Sequence, residues 1–275
     1  MSISVQTNTG SLLALDNLRM NTDFQSRTIQ RLTSGYRINA SGDDAAGLAV
    51  ANSYRTVVAE LNQGLRNAND GLSELQIVDG GLNNISKMVD RLRTLATQAA
   101  SDTFVGDLST LNDEFNAIKT EIDRQAANIG LTPEAPNARS LEVYVGGGNT
   151  QANSIVTLDL TDTSVVDSTG LGINGDNLTG KAAAKAALTH LTTGITTLGT
   201  IQGQVGSSQN KLQYAINLAA SQATNIAAAD SRIRDADIAS EASNLTKAQV
   251  LQQSSMAALA QANSAPQSIL TLLRQ

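Results

Sequence analysis

The sequence predicts a mainly α-helical protein built of long antiparallel helical rods, with one small β-hairpin. Between positions 61 and 99 every seventh residue is apolar, and a second apolar row lies three places after the first. Such a repeat holds one helix face against a partner helix and is typical of coiled-coil-like bundles. Aromatic residues make up only 3% of the chain, which favours a thin bundle because thick cores usually depend on aromatic area. The two rows are Leu61, Ala68, Leu75, Leu82, Val89 and Ala96, then Val78, Ile85, Leu92 and Ala99.

The first 34 residues predict a helix that needs a partner. Thr22 and Gln25 lie in the middle of its apolar stripe, so the helix has marginal stability alone. Gly35 and Gly42 interrupt it, and Asp43 and Asp44 suit the N-terminus of the next helix, where the helix dipole favours anions. The apolar members of the stripe are Leu12, Leu15, Leu18, Ile29 and Leu32.

The middle of the chain predicts a second helix and a hairpin. Apolar residues at helical spacing indicate a helix over 103–128, and Pro133 and Pro136 end helical structure. Alternating patterns predict strands over 141–145 and 154–160, joined by a glycine-rich loop. The composition of 161–180, rich in Gly, Ser, Thr and Asp, predicts a segment that runs over the surface.

A second rod begins at Lys181 and supplies the partner of the first. Its apolar residues are again seven apart, and the connection is long enough to let it run back alongside the first rod. From Ser207 onward there is no Gly, and the only Pro is Pro266, so we expect helix almost to the last residue. The row comprises Leu191, Leu198, Val205, Leu212, Ala219, Ile226 and Ile233.

Composition excludes several classes of function. The net charge is −6 and there is no basic block, whereas nucleic-acid binding needs a positive surface. No apolar run approaches the roughly 20 residues that span a bilayer, and the first residues lack the features of a secretory signal. We therefore expect a soluble chain without a membrane span, which would use another route if it leaves the cell.

No catalytic, cofactor or metal site is expected. His190 is the only histidine and there is no cysteine, so too few ligands are available for a metal. The acidic pairs Asp43/Asp44 and Asp235/Asp237 are interpreted as helix caps or surface groups. The sequence thus indicates a protein that is not an enzyme and needs no cofactor.

Two sets of motifs lie near the two ends of the chain. The first comprises 31–52, RLTSGYRINASGDDAAGLAVAN, and 66–85, RNANDGLSELQIVDGGLNNI. These stretches resemble the N-terminal region of bacterial flagellin, with Thr33 and Gly42 as departures. The C-terminal motifs follow in the family's order at 231–241, 247–253, 259–263 and 266–274. The short segment 133–180 leaves room for a hairpin and a loop but no additional outer domain.

The resemblance implies a structural subunit that polymerises into the bacterial flagellar filament. It implies export through the flagellar type III apparatus, an export chaperone, contact with hook-associated and cap proteins, and an extracellular location in the filament. Two alternatives remain at this point. A hook–filament junction protein has similar ends, and an enzyme or adhesin displayed on the filament would need a larger middle segment.

The resemblance also divides the chain into three parts. Residues 1–42 and 233–275 are expected to pair as a coiled coil lining an inner tube, and 43–232 to form an outer-tube helical domain with the hairpin and loop at about 133–180. Because the terminal stripes are diluted by polar residues, we expect them to order only on assembly. The residues predicted to carry self-assembly are Leu12, Leu15, Leu18, Ile29, Leu32, Leu251, Leu259, Ile269, Leu272 and Leu273.

One further segment, 90–96, resembles the family stretch recognised by toll-like receptor 5. Arg91 and Leu95 fall on the anchor positions of that stretch, and Glu114 matches the acidic position on the next helix. Asp90, Leu92 and Thr94 depart from the family pattern. The alternative is that these residues simply make contacts between subunits.

Overall fold

A computed structural model describes residues 7–104, 106–132, 141–146, 154–158 and 165–272, with side chains except at 141, 158 and 266–272. Within these ranges the chain is mainly helical with one small antiparallel sheet, which confirms the predicted fold class. Pro133 and Pro136 lie outside the described residues. The elements are α1 (Thr9–Ser34), α2 (Ala45–Ala100), α3 (Leu108–Asn128), β1 (Leu141–Tyr144), β2 (Ile155–Leu158), α4 (Lys181–Arg234) and α5 (Ile238–Leu272).

The chain divides into two compact units. The terminal unit comprises Met1–Thr56 with Ile226–Gln275, and the central unit comprises Val57–Asn225. Helices α2 and α4 each contribute residues to both units. The division into 1–42, 43–232 and 233–275 is drawn from family resemblance and stays a prediction.

The central unit is built on one continuous buried face of α2. All ten members of the two apolar rows between 61 and 99 are buried. Helix α4 packs antiparallel to α2, because Leu212 approaches Gly71 while Gln209, three residues earlier, donates a hydrogen bond of 3.5 Å to the carbonyl of Leu75. The predicted row on α4 is buried from Leu191 to Ala219. The seven-residue repeat therefore marks the buried faces of both rods, as the sequence indicated.

Helix α3 also lies antiparallel to α2. Arg91 bonds to Glu114, and Gly81 lies against Ile129. The predicted start of this helix at 103 was wrong, since α3 begins at Leu108. Asp107 is its N-cap, where the carboxylate accepts the amide of Ser109 at 2.8 Å.

The segment 165–180 corrects the prediction of a surface loop. It runs antiparallel along α3: the amide of Val166 bonds to the carbonyl of Leu131, and farther along, the amide of Leu178 bonds to Asn112. Four apolar side chains in this otherwise polar stretch are buried and complete the core. They are Val166, Leu171, Ile173 and Leu178.

The hairpin matches the prediction and lies on glycines of α2. Strands β1 and β2 pair antiparallel, with Leu141 opposite Leu158 and Tyr144 opposite Ile155. A Cβ on Gly64 would overlap the carbonyl of Val145, so only glycine permits this approach. The Tyr144 hydroxyl donates to Glu60 at 2.5 Å, and this bond raises the pKa of Tyr144.

The C-terminal helical region has a break that the sequence did not reveal. Helix α4 ends at Arg234 and α5 begins at Ile238, although no Gly or Pro lies between them. Asp237 caps α5, accepting the amide of Ala239 at 3.0 Å. A side chain that competes for backbone amides can end a helix as effectively as a glycine.

Two glycines of α2 give a matched test of this packing. Gly64→Ala must push the hairpin away, and we expect it to lower the free energy of unfolding by about 1–3 kcal/mol. Gly80→Ala meets nothing within 4 Å of the new Cβ and should raise that free energy by about 1 kcal/mol. Urea denaturation followed by circular dichroism measures both, and equal effects of the two variants would contradict the role given to Gly64.

Candidate assembly surface

The terminal unit contains an antiparallel pair of helices, α1 and α5. Contacts from the start of α1 reach the far part of α5, and contacts from its end reach the start of α5. This agrees with the predicted pairing of the two chain ends. The contacts are Asn8 Nδ2 to the carbonyl of Ala262 at 2.7 Å, Ser11 Oγ to Asn263 Oδ1 at 2.8 Å, Asn21 Nδ2 to Ser255 Oγ at 2.8 Å, and Arg31 Nη1 to Glu241 Oε1 at 3.4 Å.

The seam between α1 and α5 is partly polar, because half-buried leucines alternate along α1 with Asn21, Gln25, Thr28 and Arg31. The seam residues follow the alternating three- and four-residue spacing of a coiled coil. Few of them are fully buried, and two that are, Thr28 on α1 and Ala248 on α5, are a polar and a small residue. Thr28 satisfies its hydroxyl by bonding to the carbonyl of Phe24 at 2.9 Å. Such a seam removes little apolar area from water, so the pair gains little hydrophobic stabilisation by itself.

Large apolar side chains instead lie on the outer faces of the pair. Leu13 is 69% exposed and Val250 is 58% exposed. Leu13 and Met20, seven residues apart, share one side of α1, and an exposed apolar patch marks a surface that another molecule can cover. The exposed set comprises Leu12, Leu13, Met20 and Ile29 on α1, with Ile238, Val250, Leu251 and Met256 on α5.

The predicted self-assembly residues whose side chains are described fall into two groups. Leu15, Leu18, Leu32 and Leu259 are half-buried, whereas Leu12, Ile29 and Leu251 are exposed. The side chains of Ile269 and Leu272, and all of Leu273, lie outside the described residues. Leu13, Met20, Val250 and Met256 are exposed as well and were not among the predicted residues. The seven-residue spacing of Leu13 and Met20 is a second row that could have revealed part of this face.

The distal part of α5 carries no charge. From Ala248 to Leu272 the sequence contains no Asp, Glu, Lys or Arg. Soluble surface helices normally present a charged face to water, so a helix without one is normally enclosed by other protein or lipid. None of the described helices has a stretch long and apolar enough to cross a bilayer.

The break between α1 and α2 is hydrogen-bonded to the break between α4 and α5. We call residues 35–44 together with 235–237 the joint. The amide of Arg37 donates to the carbonyl of Arg234 at 2.6 Å, and the amide of Ala236 donates to the carbonyl of Gly35 at 2.9 Å. Arg234 also lies over the ring of Tyr36, 4.4 Å from its centroid. Gly35 has φ +74°, which ends α1 in the left-handed conformation that glycine adopts readily.

Of the pair Asp43/Asp44, Asp44 caps the next helix as predicted, whereas Asp43 bonds to the loop that precedes it. The Asp44 carboxylate accepts the amide of Gly47 at 2.8 Å, next to the start of α2. The Asp43 carboxylate accepts the amides of Asn39 and Ala40, each at 3.1 Å. These two bonds hold the pKa of Asp43 below its ordinary value.

The residues matched to a receptor site lie in the central unit and differ in exposure. Arg91 donates two hydrogen bonds to one oxygen of Glu114, at 2.8 and 2.6 Å, and both side chains are about half exposed. Leu95 is 1% exposed and belongs to the core, so in this conformation it cannot serve as an exposed anchor. Its position four residues after Arg91 gave no indication that it faces inward.

His190 is an exposed residue of α4 that makes one polar contact. Its Nδ1 lies 2.7 Å from Asp176 Oδ1. No cluster of three or more possible metal ligands occurs in the part of the chain that the structure describes.

The chain is similar to flagellins over nearly all of its length. Family models described as the bacterial flagellin N-terminal and C-terminal helical regions match residues 5–129 and 188–273. A flagellin of Halalkalibacterium halodurans is 33% identical over 98% of this chain and 99% of that protein. For a flagellin of Bacillus subtilis the identity is 31%, with the same coverage of both chains.

Two further likenesses concern a filament protein and a crystal structure. The flagellar filament 30.7 kDa core protein of Treponema maltophilum is 32% identical over 98% of this chain and 99% of that protein. The crystal structure of Bacillus cereus flagellin is 32% identical, covers 60% of this chain and 94% of that chain, and has a TM-score of 0.48.

The Asp43 contacts predict how the joint responds to acid. A depressed pKa means that the stabilisation by Asp43 is complete above the ordinary Asp value of about 3.9 and is lost as pH falls through the lowered value. In the wild-type chain the amide NMR shifts of Asn39 and Ala40 should move only in that acid range. Asp43→Asn should abolish the transition, and Asp23→Asn, a control on the exposed side of α1, should keep it. A transition that survives in Asp43→Asn would assign the response to another group.

Proposed function

The chain belongs to the bacterial flagellin family and is a structural subunit of the bacterial flagellar filament, and we propose that the outer faces of α1 and α5 carry its polymerisation. As members of a structural family, such subunits are not enzymes, as the sequence indicated. The observation that carries the proposal is the set of large apolar side chains left in water on both helices, together with the uncharged tract of α5.

These faces suit contact between copies of the chain. Each exposed leucine, isoleucine or valine would contribute roughly 1.5–3 kcal/mol if a neighbour buried it fully. A surface on one subunit that fits a different surface on the next makes a heterologous contact, and repeated contacts that do not close produce an open helix. A filament needs this kind of contact, whereas a closed ring would stop growth.

We propose that residues 1–42 and 233–275 order fully only on assembly. The polar seam supports this proposal, because ordering costs roughly 1–2 kcal/mol of backbone entropy per residue and the seam buries little area to offset it. Neighbouring subunits would supply the missing apolar contacts. The assembled segments would then form the inner tube that the family resemblance implies, around which the helices of 43–232 form the outer tube.

Export and assembly partners follow from the same proposal. Exposed apolar helices in a free subunit favour association in the cell, so an export chaperone that covers the C-terminal segment would keep subunits apart. We propose delivery through the flagellar type III apparatus, contact with hook-associated and cap proteins, and a final location in the extracellular filament. Nothing in the comparisons favours the junction-protein alternative, and they match flagellins and filament core proteins.

Polymerisation tests the assigned faces. Leu13→Asp and Val250→Asp each place a charge on an outer face, and we expect both to prevent filament growth in a salting-out salt. Leu13→Met and Val250→Ala are the matched controls and should polymerise. Negative-stain electron microscopy with seed filaments reads the result, and filaments of normal length from both aspartate variants would contradict the assignment.

A truncated chain tests the role of the ends. Residues 43–232 alone should give no filaments under conditions in which the full chain elongates. Filaments from the truncated chain would show that the ends are dispensable. A full chain that never elongates, even with seeds, would favour the junction-protein alternative.

We also propose that Arg91 and Glu114 form part of a surface recognised by toll-like receptor 5. The two side chains are about half exposed and are joined by two hydrogen bonds, so they place charged groups on the surface of two neighbouring helices. Arginine is also common at interface hot spots. The buried Leu95 would contribute by fixing the position of α2 rather than by touching the receptor.

A neighbouring ion pair gives the control for this proposal. Arg124 and Glu121 lie on α3 at similar exposure, and Arg124 lowers the pKa of Glu121 to about 2. Arg91→Ala should weaken receptor signalling in a reporter assay by roughly tenfold or more, as for a hot spot worth over 1.4 kcal/mol. Arg124→Ala should leave signalling unchanged. Equal signalling by the two variants would remove the receptor proposal without affecting the role in the filament.

A further inference from the structure

The segment 165–180 contains a reactive pair of residues held between two buried anchors. Asn174–Gly175 is the only Asn-Gly step in the sequence. It lies in a turn in which the amide of Asp176 bonds to the carbonyl of Ile173 at 3.1 Å. Ile173 and Leu178 are fully buried, whereas Asn174 and Gly175 are exposed.

The groups that would react with each other are unbonded. In an Asn-Gly step the glycine nitrogen can attack the side-chain amide carbon of asparagine, because glycine has no side chain to block the approach. Within the described part of the chain, neither the Gly175 N–H nor the Asn174 side-chain amide makes a hydrogen bond. The space beside Gly175 is open, since a Cβ there would meet nothing within 4 Å.

Lys119 of α3 is placed to promote this attack. Its ammonium donates to the carbonyl of Asn174 at 3.0 Å and to the carbonyl of Asp176 at 2.8 Å. The carbonyl of Asn174 is conjugated with the nitrogen of Gly175. When that nitrogen loses its proton, the negative charge is shared with the oxygen that Lys119 contacts, and a charged donor stabilises it.

We propose that Asn174–Gly175 is a self-modification site whose reaction Lys119 accelerates. The Gly175 nitrogen gives its proton to water and forms a bond to Cγ of Asn174, the bond from Cγ to Nδ2 breaks, and the nitrogen leaves as ammonia. The product is a five-membered cyclic imide. Water then opens the ring at one of its two carbonyls, giving aspartate or isoaspartate, with no oxidant or reductant involved.

Lys119 also favours one direction of ring opening. Its ammonium polarises the carbonyl carbon of Asn174, and water attacking that carbon gives isoaspartate. This product adds one backbone atom between Ile173 and Leu178 and places a new carboxylate beside Asp176. Because both anchors are buried, the longer backbone cannot keep both in place, and modification loosens the segment from α3.

Two Asp-Gly steps inside α2 serve as internal references. Asp70–Gly71 and Asp79–Gly80 could form the same imide with loss of water, but their glycine N–H groups belong to the helix hydrogen-bond ladder. They should stay unmodified in the folded chain while Asn174 reacts.

The test follows the purified full chain during incubation at neutral pH. Peptide mass spectrometry with fragmentation locates the gain in mass, and isoaspartate methyltransferase labelling detects the rearranged product. We expect modification at Asn174 ahead of every other asparagine and of both reference steps. Gly175→Ala should suppress it strongly, because the added methyl group hinders the approach of the nitrogen.

The Lys119→Met variant distinguishes two roles of Lys119: stabilising the reacting nitrogen of Gly175, or holding the turn in place. If Lys119 stabilises the reacting nitrogen, its removal slows modification about tenfold, or about 1.4 kcal/mol in activation free energy. If it only holds the turn still, its removal loosens the turn and speeds the reaction. Lys211→Met, which removes an exposed lysine of α4, should leave the rate unchanged. A faster or unchanged rate in Lys119→Met, or no product at Asn174 in the wild-type chain, would overturn the proposal.

Discussion

The close approach of other elements to one face of α2 is the constraint on which the central unit depends. Apolar residues at the seven-residue repeat are buried on that face from Leu61 to Ala99, and glycines at particular steps let neighbours come closer than a side chain would allow. The carbonyl of Val145 reaches α2 at Gly64, and Ile129 reaches it at Gly81. These glycines lower the intrinsic helix propensity of α2, but they permit its contact with the hairpin and with the end of α3.

The features that depend on long apolar periodicity were predicted correctly from the sequence. Both rods, their antiparallel pairing and the hairpin follow from repeats or alternations that extend over several turns or strand pairs. A helix end depends on one local hydrogen bond instead, and this explains the missed start of α3 at Leu108 and the missed break between Arg234 and Ile238. Both ends are made by aspartate side chains that no repeat includes.

Other errors arose where burial depends on distant residues. The polar composition of 161–180 suggested a surface path, but Ile173 and Leu178 enter the core because α3 offers polar partners for the backbone around them. Leu95 matches an anchor position of the receptor motif, but that match carries no information on its burial, which is set by the packing of α2. The predicted apolar row of α1 includes only Leu12 and Ile29 among its exposed residues, because Leu13 and Met20 lie in a different row.

The polar seam of α1 and α5 has a consequence for the alignment of the two helices. Apolar residues alone would tolerate a slip of one heptad, because leucine packs nearly as well against the next leucine. Asn21 and Ser255 bond to each other, as do Ser11 and Asn263, and a slip would break these bonds together and strand their polar atoms. The residues that weaken the pair therefore fix its register. A polymer built from many such pairs needs every pair to have the same length. The fixed register of α1 against α5 gives each subunit the same length, so small errors do not add up along the polymer.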